Sequence, residues 1–267
     1  MGKMFARHFK EIGKTVLTSD IETLSVEREL VRSAELIIIS VPIAATSDVI
    51  GRIKPWLSKE QILSDFTSVK NRAIPSMLET DAAVISCHPL FGGMSEMAGQ
   101  NIILLPVRSR KFLARYRRLY RELRLNITVM QDWRQHDVSM SFVQGLMHFL
   151  HIAFTQTLKT EQVDMKAIMS MCSPIYQAYF AFACRILQRD PRLYTHILMD
   201  NPENVTVLGK FIDEAQKSLK LIRNKDDKTF QKNFLECRDY LGKFGETFGS
   251  QSDYLVDKLR EYNLSHE

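Results

Sequence analysis

Strand-like apolar runs recur through the first 130 residues and then stop, and no other feature restricts the fold of this chain as much. The run Leu36-Ile37-Ile38-Ile39-Ser40-Val41-Pro42 is apolar without alternation. That is the pattern of a strand buried on both faces of a parallel sheet. Further runs of strand length lie at residues 14–20, 61–65, 81–88, 101–106 and 126–130. Helical patterns fall between several of them, at the N-terminus up to Gly13 and at about 25–33, 45–57 and from Lys70 onward. Strands and helices alternating on this spacing predict a doubly wound parallel sheet.

After Asp132 the period changes. From about 135 to 158 apolar residues occupy every face of a helix, which predicts a buried core helix. Helical patterns follow at about 163–172, 174–189, 191–199, 203–223 and 227–261, the last broken near 242–249. The expected organisation is α/β plus all-α: residues 1–130 as one domain and 131–267 as a helical one. The helical half has more apolar faces than it can hide internally, so a partner is expected, most simply a second copy of the chain.

One strand ends in chemistry. Ser86-Cys87-His88-Pro89-Leu90-Phe91-Gly92-Gly93 follows an apolar run and stops at proline and glycine, the residues of a turn. His88 is therefore expected at the carboxyl end of a buried strand, the edge of an α/β sheet where ligands bind. A histidine merely hydrogen-bonded at a strand end is the plainer alternative. Asp65-Phe66-Thr67-Ser68-Val69-Lys70 sits at a second strand-to-helix turn on the same edge. A hydroxyl there commonly caps the helix, but it could also meet the imidazole over one crevice.

Composition removes several classes. The 267 residues are 45% hydrophobic and 25% charged, ordinary for a globular chain, with net charge +5. Four scattered cysteines without a C-x-x-C pair argue against a disulfide frame and a zinc site. The longest apolar run, 36–45, is too short to span a bilayer, and the N-terminus reads as an amphipathic helix rather than a signal peptide. A soluble cytoplasmic protein with no membrane partner is expected.

Four stretches, taken in order, carry a resemblance: Asp65 to Lys70, His88 to Gly92, His136-Asp137 with His148, and Arg185 to Asp190 continuing through Leu193 to Asn204. The series resembles that of prephenate dehydrogenases, most closely the dehydrogenase half of the bacterial bifunctional chorismate mutase–prephenate dehydrogenases. The resemblance covers essentially the whole chain. It implies a Rossmann-like domain followed by a helical dimerisation domain, and a homodimer. It also implies oxidative decarboxylation of prephenate to 4-hydroxyphenylpyruvate, with hydride passing to a nicotinamide dinucleotide, in tyrosine biosynthesis. His88 matches the family's catalytic histidine and Ser68 the serine that orients it. Arg185 matches the arginine that holds a substrate carboxylate, and His148 the second-domain histidine near the substrate. Asp137 is placed with the substrate set as a residue that could orient Arg185, or serves as an N-terminal helix acid. Arogenate is an alternative substrate, and a catalytically silent dimeric remnant an alternative of another class.

The sequence departs from the family pattern at its start. A dinucleotide fold opens with a strand and G-x-G-x-x-G; Met1-Gly2 resembles the end of that motif, with Gly2 its last glycine. The expectation is an N-terminally truncated chain or a loss of nucleotide binding. Asp20 falls where the ribose-binding acid belongs, which favours NAD, although Ser19 aligns there too and leaves NADP open. Val41 and Pro42 complete the expected cofactor set with Gly2 and Asp20.

Other signals are discounted. His148 and His151 lack the carboxylate of an H-E-x-x-H set, so no metal is expected. Cys87 should point away from His88 into the core. The basic run 111–124 interleaves apolar residues at helical spacing, so it reads as a solvated helix face rather than a nucleic-acid site.

Overall fold

The computed structural model describes residues 1–92, 96–108 and 110–265; Gly93 of the His88 turn lies outside them. The chain forms two compact units, Met1–Val143 with Thr195–Glu203, and Gln144–Tyr194 with Asn204–Glu267.

The first unit is built on a five-stranded sheet: β1 (Leu36–Ile39), β2 (Ile62–Asp65), β3 (Ala83–Pro89), β4 (Asn101–Arg108) and β5 (Asn126–Val129), side by side in that order. The pairs β1–β2, β2–β3 and β4–β5 are parallel, as expected of the Rossmann-like half. The β3–β4 pair is antiparallel. A parallel return needs a crossover of a dozen or more residues, usually a helix; residues 90–100 carry no helix among those described, so the chain reverses there.

Residues 14–20 form no strand, contrary to expectation. A strand needs a ladder for its donors and acceptors. β1 lies at the sheet edge and pairs only with β2 among the described residues; its outer edge is open, but the segment does not ladder onto it. Val16 packs on the core while Leu17 is left exposed.

Helices cover both faces. α1 (Gly2–Glu11) buries Phe5 and Phe9, one turn apart, against the β3 and β4 residues Ile85, Cys87, Ile102 and Leu104. It ends as a Schellman turn: Gly13 has φ +75°, and the Lys14 and Gly13 amides donate to the Phe9 and Lys10 carbonyls. α5 (Leu113–Glu122) adds Tyr116 and Tyr120 to the same face. α2 (Leu24–Ser33), α3 (Thr46–Ile53) and α4 (Lys70–Leu78) bury Val31, Ile50, Ile53 and Met77 on the other face, against Leu63 and Val84. α6 (Trp133–Met140) brings Met140 onto Ile103 and Leu105 beside α4. Side chains alternate along β3, so Cys87 joins the α1 face, as expected, and Ser86 and His88 turn to the α4–α6 side.

The helical run continues through a π-helical segment, Ser141–Leu146, into α7 (Met147–Thr160) of the second unit. Trp133–Thr160 is long and apolar enough by composition to cross a membrane, but its first turns bury His136 and Asp137 in the first unit. It is not the buried core helix its sequence predicts. Phe142 and Val143 are each more than half exposed.

The second unit is helical: α7, α8 (Met165–Met171), α9 (Pro174–Leu187), α11 (Glu203–Asn224) and α12 (Asp227–Leu264), with α10 (Pro191–Met199) shared between the units. His151 stacks on Tyr179 between α7 and α9, and Gln177 and Asn263 exchange hydrogen bonds between α9 and α12. Gly145 leaves room for Asn204: a Cβ there would lie 2.1 Å from its Oδ1. α12 breaks at Gly242, φ +49°, inside the expected interval. Phe182, Phe234, Phe244 and Tyr240 stay exposed on this unit.

Candidate active site

The site grows from the carboxyl ends of β2 and β3. Asp65 closes β2, and its buried carboxylate organises the turn into α4. Oδ2 accepts from the Thr67 amide (3.0 Å), the Thr67 hydroxyl and Lys70 Nζ (2.7 Å); Oδ1 accepts from Ser86 Oγ (2.5 Å). Lys70 is wholly buried, and its ammonium also donates to the Cys87 carbonyl at 2.8 Å. A buried charge is tolerable only when paired and hydrogen-bonded, and both conditions are met. The pair thereby ties the α4 turn to the residue before His88.

His88 is 1% exposed. Its Nδ1 lies 3.0 Å from His136 Nε2, and His136 Nδ1 lies 2.8 Å from Asp137 Oδ1. The Asp137 carboxylate also accepts the amides of Lys70 and Asn71, at 3.1 and 2.9 Å. It therefore caps α4 rather than its own helix α6, at a helix end that favours an anion. Both oxygens are engaged inside the first unit. Burial holds His88 well below the ordinary histidine range, and His136 and Lys70 lower it further. Burial lowers His136 as well, against the opposing bond to Asp137. Both imidazoles are thus neutral at pH 7.

A distant segment completes this polar core. Asn201 Nδ2 donates to the Asp137 carbonyl at 2.8 Å, and Asn71 Nδ2 to the Asp200 carbonyl at 2.8 Å. The Asp200 carboxylate accepts from His196 at 2.9 Å, and Ile197 packs with Ile43 and Val69. In the sequence this stretch is part of the resemblance and carries no assigned role, because a carboxylate and an amide just before Pro202 give no local signal of what they will meet. His136 likewise enters the sequence reading only as half of the His136-Asp137 motif.

The other expected residues fall as follows. Ser68 is half-buried, two residues before α4, and His136 rather than Ser68 meets His88 Nδ1. Gly2 begins α1 against the end of β1, where a Cβ would lie 3.1 Å from the Ser40 Cβ and Oγ. Close helix–strand approach is the service the last glycine of a dinucleotide motif performs, so this corner fits such a group. Val41 and Pro42 follow β1 at the same edge. Asp20 is exposed and caps a short 3-10 turn, accepting from the Ile21 amide at 2.7 Å. Arg185 and His148 belong to the second unit. Arg185 is exposed on α9, and Asp190, five residues on, is paired with Arg192 at 2.9 Å. His148 packs edge-on against Tyr194, 4.9 Å between centroids, and burial with neighbouring His151 pushes it down to about 4. Burial pushes the Cys87 thiol up to about 11, which leaves it un-ionised. No group of His, Cys, Asp and Glu able to hold a metal occurs among the described residues.

Comparison with known proteins places these features in a family context. Residues 6–108 match the family model described as prephenate dehydrogenase, nucleotide-binding domain, and residues 132–236 that described as prephenate dehydrogenase, dimerization domain. The T-protein of Haemophilus influenzae is 30% identical over 265 residues, covering 98% of this chain and 70% of that one. The "Probable arogenate/prephenate dehydrogenase" of Methanocaldococcus jannaschii is 30% identical over 280 residues, covering 97% of this chain, which spans 63% of its length. The crystal structure of prephenate dehydrogenase from A. aeolicus in complex with hydroxyphenyl propionate and NAD+ superimposes with a TM-score of 0.73 at 18% identity, covering 91% of this chain and 94% of that one.

Proposed function

The chain belongs to the prephenate dehydrogenase family, and from that premise we propose that it oxidises prephenate to 4-hydroxyphenylpyruvate and carbon dioxide. NAD, when bound, supplies the acceptor for the hydride that leaves the ring carbon. Gly2, Asp20, Val41 and Pro42 are the residues that would hold it. We assign NAD rather than NADP because Asp20 offers a carboxylate where a 2′-phosphate would be repelled.

The observation that carries this reading is the state of His88. Oxidation at the ring carbon requires its hydroxyl to lose a proton, and a base for that must be neutral at working pH and held in place. His88 is buried, neutral and fixed through Nδ1 at the carboxyl edge of β3. Loss of carbon dioxide then leaves its bonding electron pair in the ring as a phenolate, which takes back the proton held by His88, so no acid or base beyond His88 is needed for that step. Arg185 is assigned to a substrate carboxylate, since guanidinium binds one bidentately and never gives up its proton. His148, kept neutral, offers a hydrogen bond without adding charge.

We infer a homodimer formed through the helical unit. The match of residues 132–236 to a dimerization-domain model and the exposed Phe182, Phe234 and Phe244 on that unit support it.

The test is His88→Asn, assayed with prephenate and with arogenate. The substitution should lower kcat by roughly two to four orders of magnitude and leave NAD affinity unchanged. Near-normal turnover by the variant would remove His88 from the chemistry. Wild-type turnover of arogenate above that of prephenate would move the substrate assignment.

A further inference from the structure

The hydrogen-bond chain behind His88 has only one consistent direction. Asp137 is a carboxylate already accepting two backbone amides at the start of α4, so it can only accept from His136. His136 must then carry its proton on Nδ1, and its Nε2 must accept. His88 must in turn carry its proton on Nδ1 and leave the lone pair on Nε2. The tautomers follow from the network, and each imidazole is neutral because burial keeps it so. The charged groups facing the pair are Lys70 from α4, Asp65 from β2 and Asp137 itself. Asp65 and Lys70 are satisfied by one another and by Thr67, Ser86 and the Cys87 carbonyl, so the relay has no competing acceptor among them.

We propose that His136 is a positioning residue, which together with Asp137 fixes His88 in the Nδ1–H tautomer and so makes its Nε2 the proton acceptor. This rests on the assignment of His88 as the base. The N-terminus of α4 sets the direction: it demands an acceptor at 137, and that demand passes through two imidazoles to the reacting nitrogen. Asp137 therefore acts behind the base rather than on Arg185.

Replacing the acceptor should run the chain backwards. In Asp137→Asn the α4 amides take the side-chain oxygen and leave an NH2 facing His136. His136 then moves its proton to Nε2, donates to His88 Nδ1, and leaves His88 protonated on Nε2, the wrong nitrogen for a base. In His136→Phe the chain is cut and no tautomer is imposed. In His136→Gln the side-chain oxygen can still accept from His88.

The experiment is long-range 1H–15N NMR of histidine-labelled full-length protein, with kcat, KM and the pH profile measured on the same samples. Wild type should show His88 protonated on Nδ1, and Asp137→Asn should show it on Nε2. kcat should fall about 100-fold or more in Asp137→Asn and at least about 10-fold in His136→Phe. His136→Gln should recover most of the loss, and KM for prephenate should stay within about two-fold throughout. A wild-type His88 protonated on Nε2, or a tautomer unchanged in Asp137→Asn, overturns the proposal even if one variant fails to fold. Tautomers that follow the scheme in an enzyme that turns over neither prephenate nor arogenate would uphold the relay and reject the assigned reaction. Normal wild-type turnover with tautomers indifferent to position 137 would do the reverse.

Discussion

Removing Lys70 should expose how much of the first unit depends on one buried charge pair. Lys70 and Asp65 are each 0% exposed and 2.7 Å apart. In Lys70→Met, Asp65 keeps Thr67 and Ser86 as donors but loses its counter-charge, and the Cys87 carbonyl loses its 2.8 Å donor. Breaking a buried pair on one side costs about 3–5 kcal/mol, out of a total that is about 5–15 for an ordinary domain. With a urea slope of about 2 kcal/mol per M, the midpoint should fall by about 2 M. Both tryptophans of the chain, Trp56 and Trp133, lie in the first unit, so their fluorescence follows that unit alone. Asp65→Asn should cost a comparable amount, and Asp65→Asn with Lys70→Met clearly less than the sum, because no unpaired charge remains. The exposed Lys54–Glu79 pair of the same unit, 3.2 Å apart, is the control, and Lys54→Met should not move the midpoint. A shift below about 0.5 M for Lys70→Met, or strict additivity in the double variant, would refute the reasoning.

The pH dependence follows from the depressed histidines. kcat should stay level from pH 8 down to about 6.5 and fall only at more acid pH, because His88 in the folded protein titrates below the ordinary value; a half-loss above pH 6.5 would contradict it. Stability should change with the same sign. The unfolded chain takes protons near pH 6.5 while folded His88, His136 and His148 do not, so the contribution is complete above that pH and is lost as pH falls toward the folded values. Melting at pH 7.5 and 5.5 measures it. Gly145→Ala should destabilise the second unit by about 1–3 kcal/mol, since its Cβ would lie 2.1 Å from the buried Asn204 Oδ1; helical melting by circular dichroism should show partial recovery in the double variant with Asn204→Ala. Arg185→Gln should raise KM for prephenate at least about 10-fold, equivalent to ~1.4 kcal/mol, with the melting temperature held. A lowered melting temperature with unchanged KM would make the residue structural.

The sequence made some of these elements legible and hid others for physical reasons. β2, β3 and β4 are visible because a buried strand must be apolar whatever its neighbours are, and the less buried β1 and β5 through their β-branched residues. Residues 14–20 misled because Val16 and Leu17 have strand character, while a strand also needs a ladder partner that local composition cannot report. The antiparallel β3–β4 pair was decided by a loop with too little chain for a crossover. The helix after Asp132 has the all-round apolar pattern of a buried one, but Phe142 and Val143 are exposed in the single chain; apolar periodicity tells which faces avoid water, not which molecule covers them. At the site, the strand end exposed His88 to view. Its partner His136 lies 48 positions away in sequence, and only the packing of α6 on α4 brings the two rings together.

The return of Thr195–Glu203 to the first unit also sets an order of events during synthesis. Asn71 and Asp137 belong to a stretch that leaves the ribosome early, yet the Asp200 and Asn201 groups they bond arrive late. Roughly 60 residues separate Val143 from Glu203, which at about 5–20 residues per second is about 3–12 s of elongation. Over that interval the nascent sheet waits with its α4–α6 corner open to water. A chaperone that acts on this chain has its window there, and slow codons between these positions would lengthen it.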